Sequence, residues 1–164
     1  MERGDRHKKI TGDFGEHFLL YFLSKHSYET ALIDYVGIDI LATDKLNVGQ
    51  RIGISVKSRS RTKERWEDGC TMKKNEYEKI ITTCKYFDCQ PWICFLFDRP
   101  EENKGKIYLF LMSVENVCKY YPRFKEGHEF QFSMKKKYMD QYKKNKEIYK
   151  IEFEYDAMNW TNFL

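Results

Sequence analysis

The sequence predicts a mixed α/β fold, and three observations carry that prediction. A helical pattern over residues 11–24 is followed by three short strand-like runs. A second helical stretch, 72–86, precedes an apolar run of strand length at 91–97. At 164 residues the chain is long enough to bury one sizeable core. The resulting order of helix, three strands, helix and strand is neither all-α nor all-β.

The elements follow in chain order. Residues 1–10 are basic and polar and read as a frayed tail. In the first helix Asp13 and Glu16 resemble a capping pair, and Phe14, Phe18, Tyr21 and Phe22 fall on one face. Leu19, Leu20 and Leu23 widen the apolar surface, so a largely buried helix is expected. Residues 28–34, 36–43 and 51–57 read as strands, and 44–49 has turn composition. A polar, basic loop is expected over 58–69, with Thr71 capping the second helix. Residues 91–97 read as a buried strand and 107–112 as another, with a hairpin turn at 101–106. Beyond these come a short helix (114–120), a strand (128–132), a charged helix (135–144) and an edge strand (148–155). Ile151, Phe153 and Tyr155 share one side of that last strand.

Composition narrows the function classes. With 41% hydrophobic and 33% charged residues, the chain is neither a disordered polar sequence nor a low-complexity one. No run approaches the roughly 18–20 apolar residues of a membrane helix, so no membrane partner is expected. The charged N-terminal stretch lacks the shape of a signal peptide, which makes the cytoplasm the expected compartment. The net charge of +4 says less than its distribution. Residues 51–65 hold six basic residues and one acidic, and 134–150 hold seven basic and two acidic. Two such blocks point to an anionic partner, nucleic acid first, against the plainer reading of solvated lysine faces.

Cys70, Cys84, Cys89, Cys94 and Cys118 form no CxxC pair, and reduced, mostly buried thiols are expected. His7, His17, His26 and His128 form no zinc-binding pattern. Lys135, Lys136 and Lys137 are read either as a second backbone contact or as solubilising charge. The apolar tail of Trp160, Phe163 and Leu164 is read as packing on its own sheet, with a homodimer seam as the alternative.

The chemistry-bearing residues cluster in the early strands. Along residues 36–42, Ile38, Ile40 and Ala42 are expected on one face and Asp39 on the other. Along 51–57, Ile52, Ile54 and Val56 face the core while Gly53, Ser55 and Lys57 face away. If the two strands pair as a hairpin, Asp39, Ser55 and Lys57 converge near one end of the sheet. A carboxylate in an apolar strand is costly unless it is paired or metal-bound. A plain Asp39–Lys57 ion pair therefore stands beside the functional reading. Glu16 shares a helix face with Leu19, Leu20 and Leu23, close to Gly12 and Gly15, which permit near backbone approach. It either completes a cap, neutralises Lys57 or joins a site.

Together these residues resemble the PD-(D/E)XK nuclease superfamily. The matching pieces are Gly15-Glu16 on the first helix, Gly37-Ile38-Asp39 on one strand, and Ile54-Ser55-Val56-Lys57-Ser58-Arg59 on the next. The resemblance lies nearest to restriction-type and Holliday-junction-resolvase-like domains. It implies a restriction-endonuclease-like αβββαβ core with a mixed central sheet, at about residues 10–99. A C-terminal α+β extension at about 100–164 completes a single domain. It also implies a Mg²⁺- or Mn²⁺-dependent hydrolysis of DNA phosphodiesters. Hard oxygen donors suit that metal, not Cys or His. By resemblance Asp39 is the central metal ligand, the Val56 carbonyl a second, and Glu16 a further ligand or a partner of Lys57. Lys57 orients the water or stabilises phosphate charge.

Ser55 departs from the family, which usually has a carboxylate or Gln there. Either a Glu from the following helix takes over, with Glu76 first and Glu67 or Glu78 behind it, or cleavage is lost. In the latter case the domain is a binding module for nucleic acid or a protein partner. The basic run Arg59, Arg61, Lys63 and Arg65 leaves the site strand where phosphate contacts are expected. Trp66 is read either as stacking on a base or as pinning the loop.

Overall fold

Residues 4–47, 49–65, 67–100 and 104–156 are described by a computed structural model. Helix α1 (Asp5–Lys25) leads into strands β1 (Tyr28–Tyr35), β2 (Ile38–Asp44) and β3 (Arg51–Ser60). A 3-10 turn (Lys63–Arg65) and a short strand β4 (Cys70–Met72) precede helix α2 (Glu76–Tyr86). Strands β5 (Gln90–Pro100) and β6 (Lys104–Ser113) follow, then helix α3 (Val114–Tyr120) and a 3-10 turn (Pro122–Phe124). Strand β7 (Phe130–Phe132), helix α4 (Lys136–Lys144) and strand β8 (Tyr149–Asp156) complete the described chain.

The main sheet runs β1-β2-β3-β5-β6-β8. Only β3 and β5 pair in parallel, and the other four neighbouring pairs are antiparallel. The sheet is therefore mixed, and α1-β1-β2-β3-α2-β5 reproduces the expected αβββαβ order. β6 and β8 extend that same sheet, with β8 at the edge as its alternation indicated.

Both sheet faces are covered, which explains the unbroken apolar run in β5. Ile93, Cys94, Phe95, Leu96 and Phe97 are all fully buried because alternate side chains enter different cores. On one face Leu19 and Leu23 of α1 pack with Ile40, Ile54, Cys94 and Leu96. On the other, Phe95, Phe97 and Phe110 pack beneath the helices and a β4–β7 ribbon carrying Phe130 and Phe132. The five cysteines are free thiols, with Cys70, Cys84 and Cys94 buried.

Six local expectations are corrected. The first ten residues are not all a frayed tail, since α1 begins at Asp5. Asp5 pairs with Lys8 at 2.9 Å in the first turn, and Arg6, Lys8 and Lys9 are good helix formers. Asp13 is consequently inside the helix and caps nothing. Thr71 is no cap either. It is the exposed centre of β4, whose Cys70 and Met72 turn inward opposite Phe132 and Phe130. α2 starts later, at Glu76. β3 runs on through Ser60 because β5 pairs with it as far as Ser60 opposite Asp98. Ile38 belongs to the α2-side core while Ile40 and Ala42 belong to the α1-side core. It precedes the first β2–β3 pair, Ile40 with Ile54, so the ladder does not hold it to the sheet's alternation. Trp160, Phe163 and Leu164 lie outside the described residues, as do 101–103 of the expected hairpin turn.

Two glycines fix the layers. A Cβ at Gly15 would collide with Ser58 Oγ, so α1 approaches β3 through that bare position. Gly37 turns the chain from β1 to β2 with φ +103°, and a Cβ there would sit 2.6 Å from the Lys79 carbonyl oxygen. Gly37→Ala should therefore lower unfolding free energy by about 1–3 kcal/mol in a denaturant titration. Gly12→Ala, with open space around the position, should raise it by about 0.5–1 kcal/mol. Equal effects at the two positions would contradict this packing.

Candidate active site

The site forms where β2 and β3 part. Their antiparallel register ends at Ile40 opposite Ile54, while β3 continues six residues further on its β5 side. Beyond the split, the Val56 N–H has no β2 carbonyl to meet. The Asp39 carboxylate takes that place, with Oδ2 accepting from Val56 N–H at 2.6 Å. A buried polar pair is thereby satisfied, and Asp39 is fixed beside β3.

Helix α2 supplies the other wall. Thr83 Oγ1 donates to the Val36 carbonyl, and Gly37 lies against the α2 backbone at Lys79. These contacts pin the helix onto the β1–β2 turn and bring its first residue, Glu76, over β3. Glu76 Oε2 lies 3.3 Å from Lys57 Nζ, and each side chain is under one quarter exposed. That oxygen is buried and has no partner in hydrogen-bond geometry. Asp39, Ser55, Lys57, Glu76 and Lys79 line one cavity of about 250 Å³.

Electrostatics mark this end of the sheet as strained. Burial foremost raises the Asp39 pKa, and the charges of Glu76 and Asp34 add to it. The Val56 N–H and Lys57 pull it back. Glu16 is also raised, first by burial and then by the charges of Asp39, Asp13 and Asp34. Glu16 does not line the cavity. It follows Gly15, whose neighbours are Ser58 and Val56 on β3, and it senses Asp39 through charge.

Of Glu67, Glu76 and Glu78, Glu76 alone reaches the cavity. Glu67 lines a separate hollow against Ser133 and Lys135, and Glu78 is exposed. Ser55 is buried on the cavity wall, 3% exposed. Among the described residues, no three His, Cys, Asp or Glu side chains stand close enough to hold a metal ion by themselves. The donors in the cavity are two carboxylates, Asp39 and Glu76. Such a sparse hard-oxygen set fits Mg²⁺, which keeps several waters and takes one or two protein carboxylates.

The basic segment divides by what its groups do. Arg59 is exposed, with Nη1 donating to the Ser58 carbonyl at 2.8 Å. Arg61 is half-buried and donates to the Asp68 and Gly69 carbonyls, tying the loop together. Arg65 pairs with Asp68 at 2.8 Å and stays largely exposed. The Lys63 side chain and Trp66 lie outside the described residues.

Two residues escaped the sequence reading. Lys79 lines the cavity one turn after Glu76, a helical spacing that was open to view. Asp34 acts on both Asp39 and Glu16 from the end of β1. Its strand alternation next to Val36 and Gly37 was the available signal.

No protein-family model and no curated protein matches the chain. Among solved structures it is similar to Hjc, a Holliday junction resolvase from the archaeal hyperthermophile Archaeoglobus fulgidus. The two are 18% identical over 60% of this chain and 75% of that one, with a TM-score of 0.44.

The raised carboxyls set a pH dependence. Because both pKa values are raised on folding, Asp39 and Glu16 bind more protons in the folded chain than in the unfolded one at pH values between the two. The stability carried by their neutral forms is complete below the unfolded pKa and is lost as pH rises through the folded values. Asp39→Asn should thus raise the thermal midpoint at neutral pH, with the gain shrinking below about pH 4. Melts across pH check this, and a gain that is independent of pH would contradict it.

Proposed function

We propose that this chain is a divalent-metal-dependent nuclease that hydrolyses DNA phosphodiester bonds in the Asp39–Lys57–Glu76 cavity. The observation that carries the reading is the buried Glu76 oxygen. It faces Lys57 in the cavity that Asp39 enters from β2. Two carboxylates and a lysine from three separate segments converge there, at a cost to the ionisation of Asp39. A purely structural ion pair needs only one acid for one lysine.

Asp39 and Glu76 would hold Mg²⁺ or Mn²⁺, with the Val56 carbonyl as a further oxygen donor. When bound, the metal supplies electrostatic stabilisation of the phosphate's developing charge. Lys57 adds a fixed positive charge at the same point, and Glu76 keeps its ammonium group aimed into the cavity. Glu16, close by through charge, tunes Asp39 from the α1 side. Ser55 leaves room on the wall where a strand carboxylate would otherwise project. Arg59 and Arg65, exposed on the segment leaving β3, contact the backbone phosphates of the strand being cut. The compartment of action is the cytoplasm, and a homodimer is the assembly suited to cutting both strands of a duplex.

The test is a titration of Mg²⁺ and Mn²⁺ with labelled duplex, single-stranded and branched DNA, scoring cleavage and binding together. Asp39→Ala and Lys57→Ala should each reduce metal-dependent cleavage by about 10²–10³-fold or more while DNA still binds. Binding without cleavage under any metal, unchanged by Asp39→Ala, would instead identify a binding module. Arg59→Ala should weaken binding on all sequences alike and flatten the dependence of log affinity on log salt by about one unit. An unchanged salt slope would remove Arg59 from the interface.

A further inference from the structure

A second cavity, about 700 Å³, opens between α3, α4 and the turn into β8, and shares no wall with the Asp39 cavity. Its size is that of a small-molecule site. Phe130, Phe132 and Tyr142 line its interior and are each more than nine-tenths buried. Phe95, Phe132 and Tyr142 form one stack, with 4.4 Å between neighbouring rings and Tyr142 at its end, while Tyr121 packs on Phe130 at 4.4 Å with the rings tilted by 45°.

The wall also carries charge and hydrogen-bonding groups. Lys119, Lys144 and Lys146 stand against a single acid, Glu147. Glu147 is already engaged by Lys119 at 3.0 Å and by the Tyr120 hydroxyl at 2.9 Å. Lys144 and Lys146 are exposed and have no acidic partner among the described residues. The side-chain amides of Gln141 and Asn145 lie on the same wall, and Asn145 Oδ1 already accepts from the Glu147 N–H at 2.9 Å.

We propose that this cavity binds a nucleotide, the base entering the aromatic interior and the phosphate resting on Lys144 and Lys146. A flat ring can continue the Phe95–Phe132–Tyr142 stack at Tyr142, the Gln141 amide matches the donor and acceptor edge of a base, and the two unpaired lysines complement a phosphate. A hydrocarbon ligand would leave the lysines and the Gln141 amide unused. The nucleotide is either free or one unstacked residue of a DNA strand. The site does not rest on the cleavage reading, because no residue is common to the two cavities.

The experiment is calorimetric titration of the full chain with deoxyadenosine monophosphate and with deoxyadenosine. The monophosphate should bind saturably, and the nucleoside should bind about tenfold more weakly or less, as loss of a charge-assisted hydrogen bond implies. The double variant Lys144→Ala/Lys146→Ala should erase that difference. Gln141→Trp, a substitution at an exposed position, should block binding without lowering the thermal midpoint. Asp39→Ala should leave the affinity unchanged, which separates this site from the proposed catalytic one. A single-stranded oligonucleotide that displaces the monophosphate identifies a strand nucleotide, and one that does not identifies a free nucleotide. No binding to the wild-type chain, or equal binding in every variant, overturns the proposal.

Discussion

The hydrogen bond from the Val56 amide to the Asp39 carboxylate holds the site together. It lies at the point where β2 leaves β3, and it replaces a backbone pairing that the diverging strands no longer make. Without it, an amide would be orphaned and a carboxylate would have no fixed position. With it, the end of β3 stays open on one side. Ser55 and Lys57 are displayed on the α2 face of the sheet, with Asp39 held beside them. The functional reading depends on this small failure of sheet pairing.

Helix α2 completes the arrangement through contacts that involve none of the charged groups. Gly37 lets the helix backbone approach, Thr83 anchors it to Val36, and Ile80 and Cys84 bury it against the sheet. Glu76 is carried over Lys57 by those contacts. The acids themselves oppose folding near neutral pH, since burial and mutual repulsion hold Asp39 and Glu16 above their ordinary pKa. Stability is thus supplied by apolar layers on both sheet faces and spent locally at one sheet end. That division is what a functional site on a stable scaffold looks like.

The sequence disclosed the parts of this arrangement that depend on local alternation. Asp39 interrupts an apolar strand, and Lys57 is two residues from Ser55 on the same face, so both could be placed by a period of two. Glu76 could be proposed because a helix was visible after β3. Glu16 was visible as a carboxylate beside apolar positions, but its place on the α1 side required the close approach of Gly15 to Ser58. The start of α2 was set too early because Cys70 and Met72 form a strand whose partner, β7, lies some sixty residues away in the chain. Alternation puts Ile38 on the face of Ile40 and Ala42, but that inference assumes a ladder, and the β2–β3 ladder has not yet begun there. Arg61 read as a phosphate contact, whereas its guanidinium closes its own loop onto two carbonyls. Such long-range partners leave no mark in local periodicity.

In the proposed nuclease, Glu76 of α2 stands in for the strand carboxylate that the family resemblance implies at position 55. The most direct measurement moves it back. Mn²⁺ affinity by calorimetry and DNA cleavage should be compared in the wild type, Glu76→Gln, and Glu76→Gln combined with Ser55→Glu. Glu76→Gln should weaken both metal binding and cleavage, and Ser55→Glu added to it should recover a measurable part of each. Full metal affinity and cleavage in Glu76→Gln alone would contradict it.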